Sequence, residues 1–270
     1  LDATKQTLVA ALIQRELEAA AKLRFLPIDY SRFATKGVES IKIPKFDSFT
    51  SAVRAPGATC DTTALTATAD TLDSNCLCIA WLVDPCEHIE SVVDFNALAA
   101  TRAAAAHGRK IDELIIGELE THGTATTTVA AAITKDVILE MRETLCSNNG
   151  NLDDQWLVLG CDQETELLKI TEFVDASVYG SSAQPLATGE VGRIFGARVV
   201  VSNQVAANSY YLLNRDGLGI AFQKQMSMES QPAIEYGVGA RRFAMDLKVY
   251  TGHLQDNAGF SDLIIKDNNV

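Results

Sequence analysis

Residues 34–75 limit how this chain can fold more than any other stretch, because they read as two extended arms with few bulky apolar side chains to bury. Residues 38–46 alternate in part, residues 59–73 are rich in Thr and Ala with TATAD at 66–70 in period two, and Pro56-Gly57 marks a turn between them. A two-stranded ribbon is marginal in water on its own. Pro44 cannot donate to a ladder, which places its arm at an edge or in a projecting loop. Two readings follow: a surface insertion, or a β-ribbon that becomes ordered by lying across a neighbouring subunit.

The rest of the chain has ample material for a core. Of 270 residues, 47% are hydrophobic, enough for one large domain or two modest ones. A net charge of −12 argues against a surface that tracks nucleic-acid backbones. The longest apolar run, residues 76–83, is far short of the roughly 20 residues of a membrane helix, so no membrane association is expected. Residues 1–15 lack the pattern of a signal peptide, and export is not expected. A chain opening on Leu1 is expected to be processed or to be part of a longer product.

GEVGRIFGARVVVSN at 189–203 poses the question of a phosphate cradle. A nucleotide fingerprint needs a strand before its glycines and a helix after them. Here the strand-like ARVVV follows the glycines, and no Gly-Lys-Ser/Thr is present. The glycines are therefore expected to serve turns between strands.

Helical spacing of Leu8, Leu12, Ile13 and Leu17 predicts a helix over 4–23, ended by Pro27. A long helix is expected over 96–122 on Leu98, Ile111, Leu114, Ile115 and Leu119, despite Gly108 and Gly117. Another is expected over 131–145 on Ile133, Val137, Met141 and Leu145. A short strand over 155–160 leads to a helix over 163–170 with Asp162 as its cap. Further strands are expected over 76–83, as a continuous buried run, and over 210–213, 219–223 and 242–250. The fold class is α+β.

No constellation of catalytic residues emerges. His88, His107, His122 and His253 sit in unrelated contexts and read as surface or capping residues. Glu113, Glu118 and Glu120 read as a solvated helix face, and Arg241 and Arg242 as ion-pair partners. Cys76, Cys78, Cys86 and His88 could be written as a zinc set, the basis of an alternative reading as an intracellular zinc-dependent enzyme. The usual knuckle spacing is absent and no metal or other cofactor is expected.

Taken in order, these elements resemble the tailed-bacteriophage major capsid protein family, the Hong Kong 97-type fold, which encapsulin nanocompartments share. The resemblance is carried by AHGRKID at 106–112, LKITEFVDA at 168–176, TGEVGRIFGARVVVSN at 188–203 and GARRFA at 239–244, the third being the most specific. It covers almost the whole chain; the long scaffolding or propeptide region that some members carry is expected to be removed or separately encoded.

The resemblance implies an N-terminal arm and helix (1–33), an extended loop (34–75), a peripheral domain with a spine helix (76–125), an axial domain (126–235) and a return to the peripheral domain with a C-terminal tail (236–270). It implies no enzyme. The implied function is self-assembly as pentamers and hexamers into an icosahedral shell in the bacterial cytoplasm, enclosing double-stranded DNA without sequence-specific binding. Scaffolding, portal and decoration proteins are its implied further partners, and an encapsulin-like shell is the alternative. On the ribbon, Lys42, Lys45 and Arg54 are candidates for pairing with acidic surfaces next door, and Phe46 and Phe49 for apolar anchoring.

Overall fold

The computed structural model describes residues 21–46, 53–54, 56–57, 59, 67–84, 95–125, 133–147, 153–170, 192–207, 209–254 and 263–268. Most of the expected first helix, residues 60–66, Phe49, Cys86 and His88 lie outside the described residues.

In chain order the elements are β1 (Ile28–Asp29), β2 (Ser40–Phe46), β3 (Ala67–Val83), helix α1 (Phe95–His122), β4 (Thr124–Ala125), helix α2 (Lys135–Ser147), β5 (Gln155–Leu159), helix α3 (Cys161–Leu167), β6 (Arg193–Ile194), β7 (Ala197–Val201), β8 (Ser209–Asn214), β9 (Leu218–Pro232), β10 (Arg241–His253) and β11 (Ile264–Asn268). They form a five-stranded sheet ordered β1-β9-β10-β3-β2 and a six-stranded sheet ordered β4-β11-β8-β5-β7-β6.

The sequence suggests a ribbon followed by a separate buried strand. In the structure the two are one 17-residue strand, β3, because no glycine or proline interrupts it between Ala67 and Val83. Its side chains alternate, correcting the expectation of a run buried on both faces. Leu77, Ile79 and Trp81 pack inward, while Cys76 and Cys78 share the exposed face. Inward residues of β3, β9 and β10 meet α1, where Ala100, Ala103 and Ala104 let the helix approach closely over Met245. Lower on the helix, Ile111, Ile115 and Leu119 enter a core with Leu218, Leu247 and Val249. Gly117 and the buried Gly108 do not break the helix, since packing of one face outweighs a loss of about 1 kcal/mol at each.

The six-stranded sheet is covered on both faces. Val158, Tyr211, Leu213 and Ile264 face the α1 core. Leu157, Leu159, Tyr210, Leu212 and Ile265 face α2, which contributes Val137, Ile138, Met141 and Leu145. All six residues of β8 are therefore buried, as its apolar and aromatic run requires. Gly160, not Asp162, is the N-cap of α3; Asp162 lies in the first turn, where its charge still favours the helix end.

Two departures concern how far each sheet reaches. β9 extends to Pro232 and pairs with β10, so the division expected at residue 235 falls within a hairpin of the five-stranded sheet. β11 pairs with β8 and β4, carrying residues 264–268 into the six-stranded sheet.

A buried carboxylate ties the start of the described chain to α1. Asp112 is 2% exposed, and its two oxygens accept the backbone N–H groups of Lys22 (3.1 Å) and Leu23 (3.0 Å). Leu23 and Leu26 plug into the core beside it. Burial raises the Asp112 pKa to about 6, with the two amides and the Lys22 charge offsetting only part of the rise.

The folded-state value lies above the ordinary 3.8, so between the two the folded protein binds more protons than the unfolded chain, and stability rises as pH falls through that window. D112N removes this titration. In urea unfolding, the stability difference between wild type and D112N is expected to move in favour of wild type by up to about 3 kcal/mol from about pH 7 to about pH 4. A difference that stays constant with pH would show that burial does not perturb this carboxyl.

Candidate assembly surfaces

Asp73 is the point at which the ribbon leaves the body, since it pairs with Thr251 of β10 on one side and Ser40 of β2 on the other. Beyond it, residues 67–72 of β3 pair with β2. β2 is an edge strand of the sheet, and Pro44 sits in it opposite Ala69, as its missing donor demands. At the base, Ile41 and Leu72 are buried with Tyr250, Ala221 and Leu254. The Tyr250 hydroxyl donates to the Val38 carbonyl at 2.6 Å.

That burial is small against the ordering it must support. An aliphatic side chain gains about 1.5–3 kcal/mol on full burial, and each ordered backbone residue costs about 1–2 kcal/mol. Ile41 and Leu72 therefore secure the first few residues of the ribbon. Further out Lys42, Pro44, Ala67, Thr68 and Ala69 are exposed.

The five residues expected to make intersubunit contacts fall into different situations. Lys45 Nζ lies 2.5 Å from Asp70 Oδ1, across the ribbon, so its charge is engaged within the same chain. Lys42 is exposed on the edge strand, and Arg54 is exposed two residues before the Pro56-Gly57 turn, where Gly57 adopts a φ of +86°. Phe46 ends β2, and Phe49 lies outside the described residues.

A second projecting surface carries no sequence signal of its own class. The turn between β9 and β10 exposes Ile234 (76%), Tyr236 (53%) and Val238 (96%). Gly237 and Gly239, at φ of +127° and +97°, shape this turn, and Arg242 pairs with Glu235 at 3.6 Å, as expected of an arginine in an acidic chain. Isolated apolar residues on a surface are ordinary, but three on one turn form a patch.

From Arg193 to Val201 the glycine-rich segment is a hairpin. Phe195 and Gly196, at φ of +46° and +88°, form the two-residue turn between β6 and β7, the conformation of a type I′ turn. Arg142 of α2 fixes it by donating to the Phe195 carbonyl at 2.6 Å.

Of the histidines, His107 departs from the expectation of a surface or capping residue, His122 meets it, being exposed in the last turn of α1, and His88 lies outside the described residues. His107 is buried, and its Nε2 lies 3.3 Å from the Met245 carbonyl, which can only accept, so this nitrogen carries the proton. Burial lowers its pKa. His122 and His253, far apart in sequence, stack with ring centroids 4.5 Å apart. Glu118 stands 3.6 Å from His122, and these residues share a cleft with Asp70, Thr71 and Asp73 at the ribbon's root. Glu120 is no free solvated carboxylate either: it accepts from the Tyr211 hydroxyl at 2.5 Å and tethers the body of α1 to β8. Among the described residues no group of three or more His, Cys, Asp or Glu side chains is arranged to hold a metal ion. No described helix is long and apolar enough to cross a membrane.

The comparisons agree with this architecture. A family model described as phage capsid protein matches residues 91–253, from just before α1 to the end of β10. No curated protein matches the chain in sequence. Among solved structures, that of Mycobacterium phage Che8 is similar with a TM-score of 0.74 at 19% identity, covering 89% of this chain and 88% of the other. The capsid of cyanophage Pam1 is similar with a TM-score of 0.70 at 12% identity over 89% and 87%. A virus-like particle from Pyrococcus furiosus gives 0.60 at 12% over 95% and 96%. At these identities the structures speak to the fold, and the family match speaks to kinship. The chain belongs to the phage capsid protein family and is a major capsid protein of Hong Kong 97-type fold.

Proposed function

We propose that copies of this chain assemble as pentamers and hexamers into an icosahedral shell around the double-stranded DNA genome of a tailed bacteriophage, within the host cytoplasm. The observation that carries this reading is the ribbon: a paired arm whose outer residues, among them the exposed Lys42, Pro44, Ala67, Thr68 and Ala69, have too little beneath them to offset the entropy of ordering. Laid over an adjacent copy, it would gain that burial from the neighbour. The role is structural and not catalytic. Scaffolding, portal and decoration proteins are further partners on this reading.

In terms of the observed elements, residues 1–33 serve as the arm, 34–75 as the extended loop, and the five-stranded sheet with α1 as the peripheral unit. The six-stranded sheet with α2 and α3 serves as the axial unit. The exposed tip at Ile234, Tyr236 and Val238 supplies a further apolar contact between copies. Many such modest contacts per copy permit errors to be corrected during growth and still make a closed shell stable. A shell with protein cargo is the second reading, supported by the likeness in fold to the Pyrococcus furiosus particle; the packaged contents of purified shells distinguish it.

Deleting residues 44–70 is expected to leave a soluble subunit that sediments as a small species, and shells of normal size from that variant would remove the ribbon's role. Replacing Ile234, Tyr236 and Val238 by Ser should alter subunit stability by no more than about 0.5 kcal/mol per site, since they are exposed. The same variant should need several-fold more protein to assemble. Assembly at the wild-type concentration would show the tip to be idle.

A further inference from the structure

The β6–β7 hairpin contains a local conflict. Arg193 and Arg198 are directly opposite one another in an antiparallel pair, both exposed, while their neighbours Ile194 and Ala197 turn into the core. Like charges placed opposite each other in this way destabilise a pair, and here they occur in a chain of net charge −12. The arrangement is held firmly. Arg198 lies 5.0 Å over the Trp156 ring, and the turn is fixed by Arg142. Among the described residues no carboxylate forms an ion pair with Arg193 or Arg198. A rigid double positive charge on the hairpin that ends the sheet matches an anionic surface that the same subunit does not bring to it.

The complementary surface lies on α2. At about 100° per residue, Asp136, Glu140 and Glu143 fall within roughly 60° of one another, and the buried Val137, Ile138, Met141 and Leu145 occupy another side. This acidic stripe borders a shallow open depression with Leu139, Thr144 and Ser147. Arg142, which reaches the hairpin turn, is roughly 130° round the helix from the stripe. The arginines, moreover, share a sheet face with Trp156, which packs toward α1, whereas α2 covers the opposite face. Basic pair and acidic stripe therefore point away from each other on one lobe. Two different, complementary patches facing different ways make a heterologous contact, which repeats head to tail and closes a ring where the rotation per copy allows it.

We infer that the Arg193/Arg198 edge of one copy docks on the exposed Asp136 and Glu143 of α2 in the next copy, forming the head-to-tail contact of a ring. This rests on the reading of the chain as a shell-forming subunit and adds which surfaces meet. The occupant is a second copy because the lobe offers both signs of charge in separate places. An acidic chain carrying only the basic pair would point to a foreign anion, such as packaged DNA.

Charge exchange tests the pairing in the full-length protein. R193E/R198E and D136K/E143K alter exposed side chains, and circular dichroism and sedimentation at low concentration check that each subunit folds. Each double variant is expected to raise the protein concentration needed for assembly at least tenfold. The four-fold variant carrying all these changes is expected to recover most of that loss. Recovery supports the contact. Normal assembly by either double variant overturns it, as does failure of the combined variant to recover, and a defect confined to R193E/R198E assigns the arginines to another anion. If wild type itself forms neither rings nor shells, the capsid reading fails first, separately from this contact.

Discussion

The ladder that β3 shares between two partners is the constraint on which the structure depends. Over Asp73–Val83 it pairs with β10 and is stabilised by the core under Leu77, Ile79 and Trp81. Over Ala67–Asp73 the same strand pairs with β2 and has little beneath it. Because one unbroken backbone runs through both, the direction of the exposed ribbon is set by the buried sheet. A hinge of glycine or proline at Asp73 would have separated them. Stability of the body and reach of the arm are thus properties of one element.

Around this strand the molecule solves two packing problems with one helix. The Ala-rich first half of α1 lets the helix sit close on the five-stranded sheet, and its second half places Ile111, Ile115 and Leu119 between both sheets. Tyr211 anchors the six-stranded sheet to the same helix through Glu120, and Asp112 ties in the segment that enters from the N-terminal side. Burial and the adjoining carboxylate raise the pKa of the tyrosine, so the hydroxyl stays a donor across the ordinary pH range. Polar groups that join elements in this way must each find partners, since an unpaired one would cost more than the bond contributes.

Surfaces available for association are of three kinds: a ribbon deficient in burial, an apolar turn, and charged patches of opposite sign. Each alone is weak. A shell requires such weakness per contact, because a subunit bound irreversibly in a wrong place would stop growth. The −12 net charge adds a general repulsion that local complementarity must overcome, which sharpens the dependence of assembly on a few matched charges.

Periodicity determined the α+β class, the long helix and the buried face of α2, and the missing N–H of Pro44 determined its edge placement, since each is a local feature that tertiary packing only had to accept. The hairpin role of Gly196 was legible for the same reason: a missing strand-glycine-helix order excludes a phosphate cradle without any structure. What sequence order could not convey was pairing across distance. That β3 is one strand, that β9 and β10 form a hairpin across residue 235, and that His122 stacks on His253 are consequences of which chains lie side by side. The burial of His107 and Asp112 belongs here too, because a polar residue on a helix looks solvated until the element covering it is known. Lys45 looked available to a neighbour for that reason, and only the register opposite Thr68, two residues from Asp70, brought its own partner within reach.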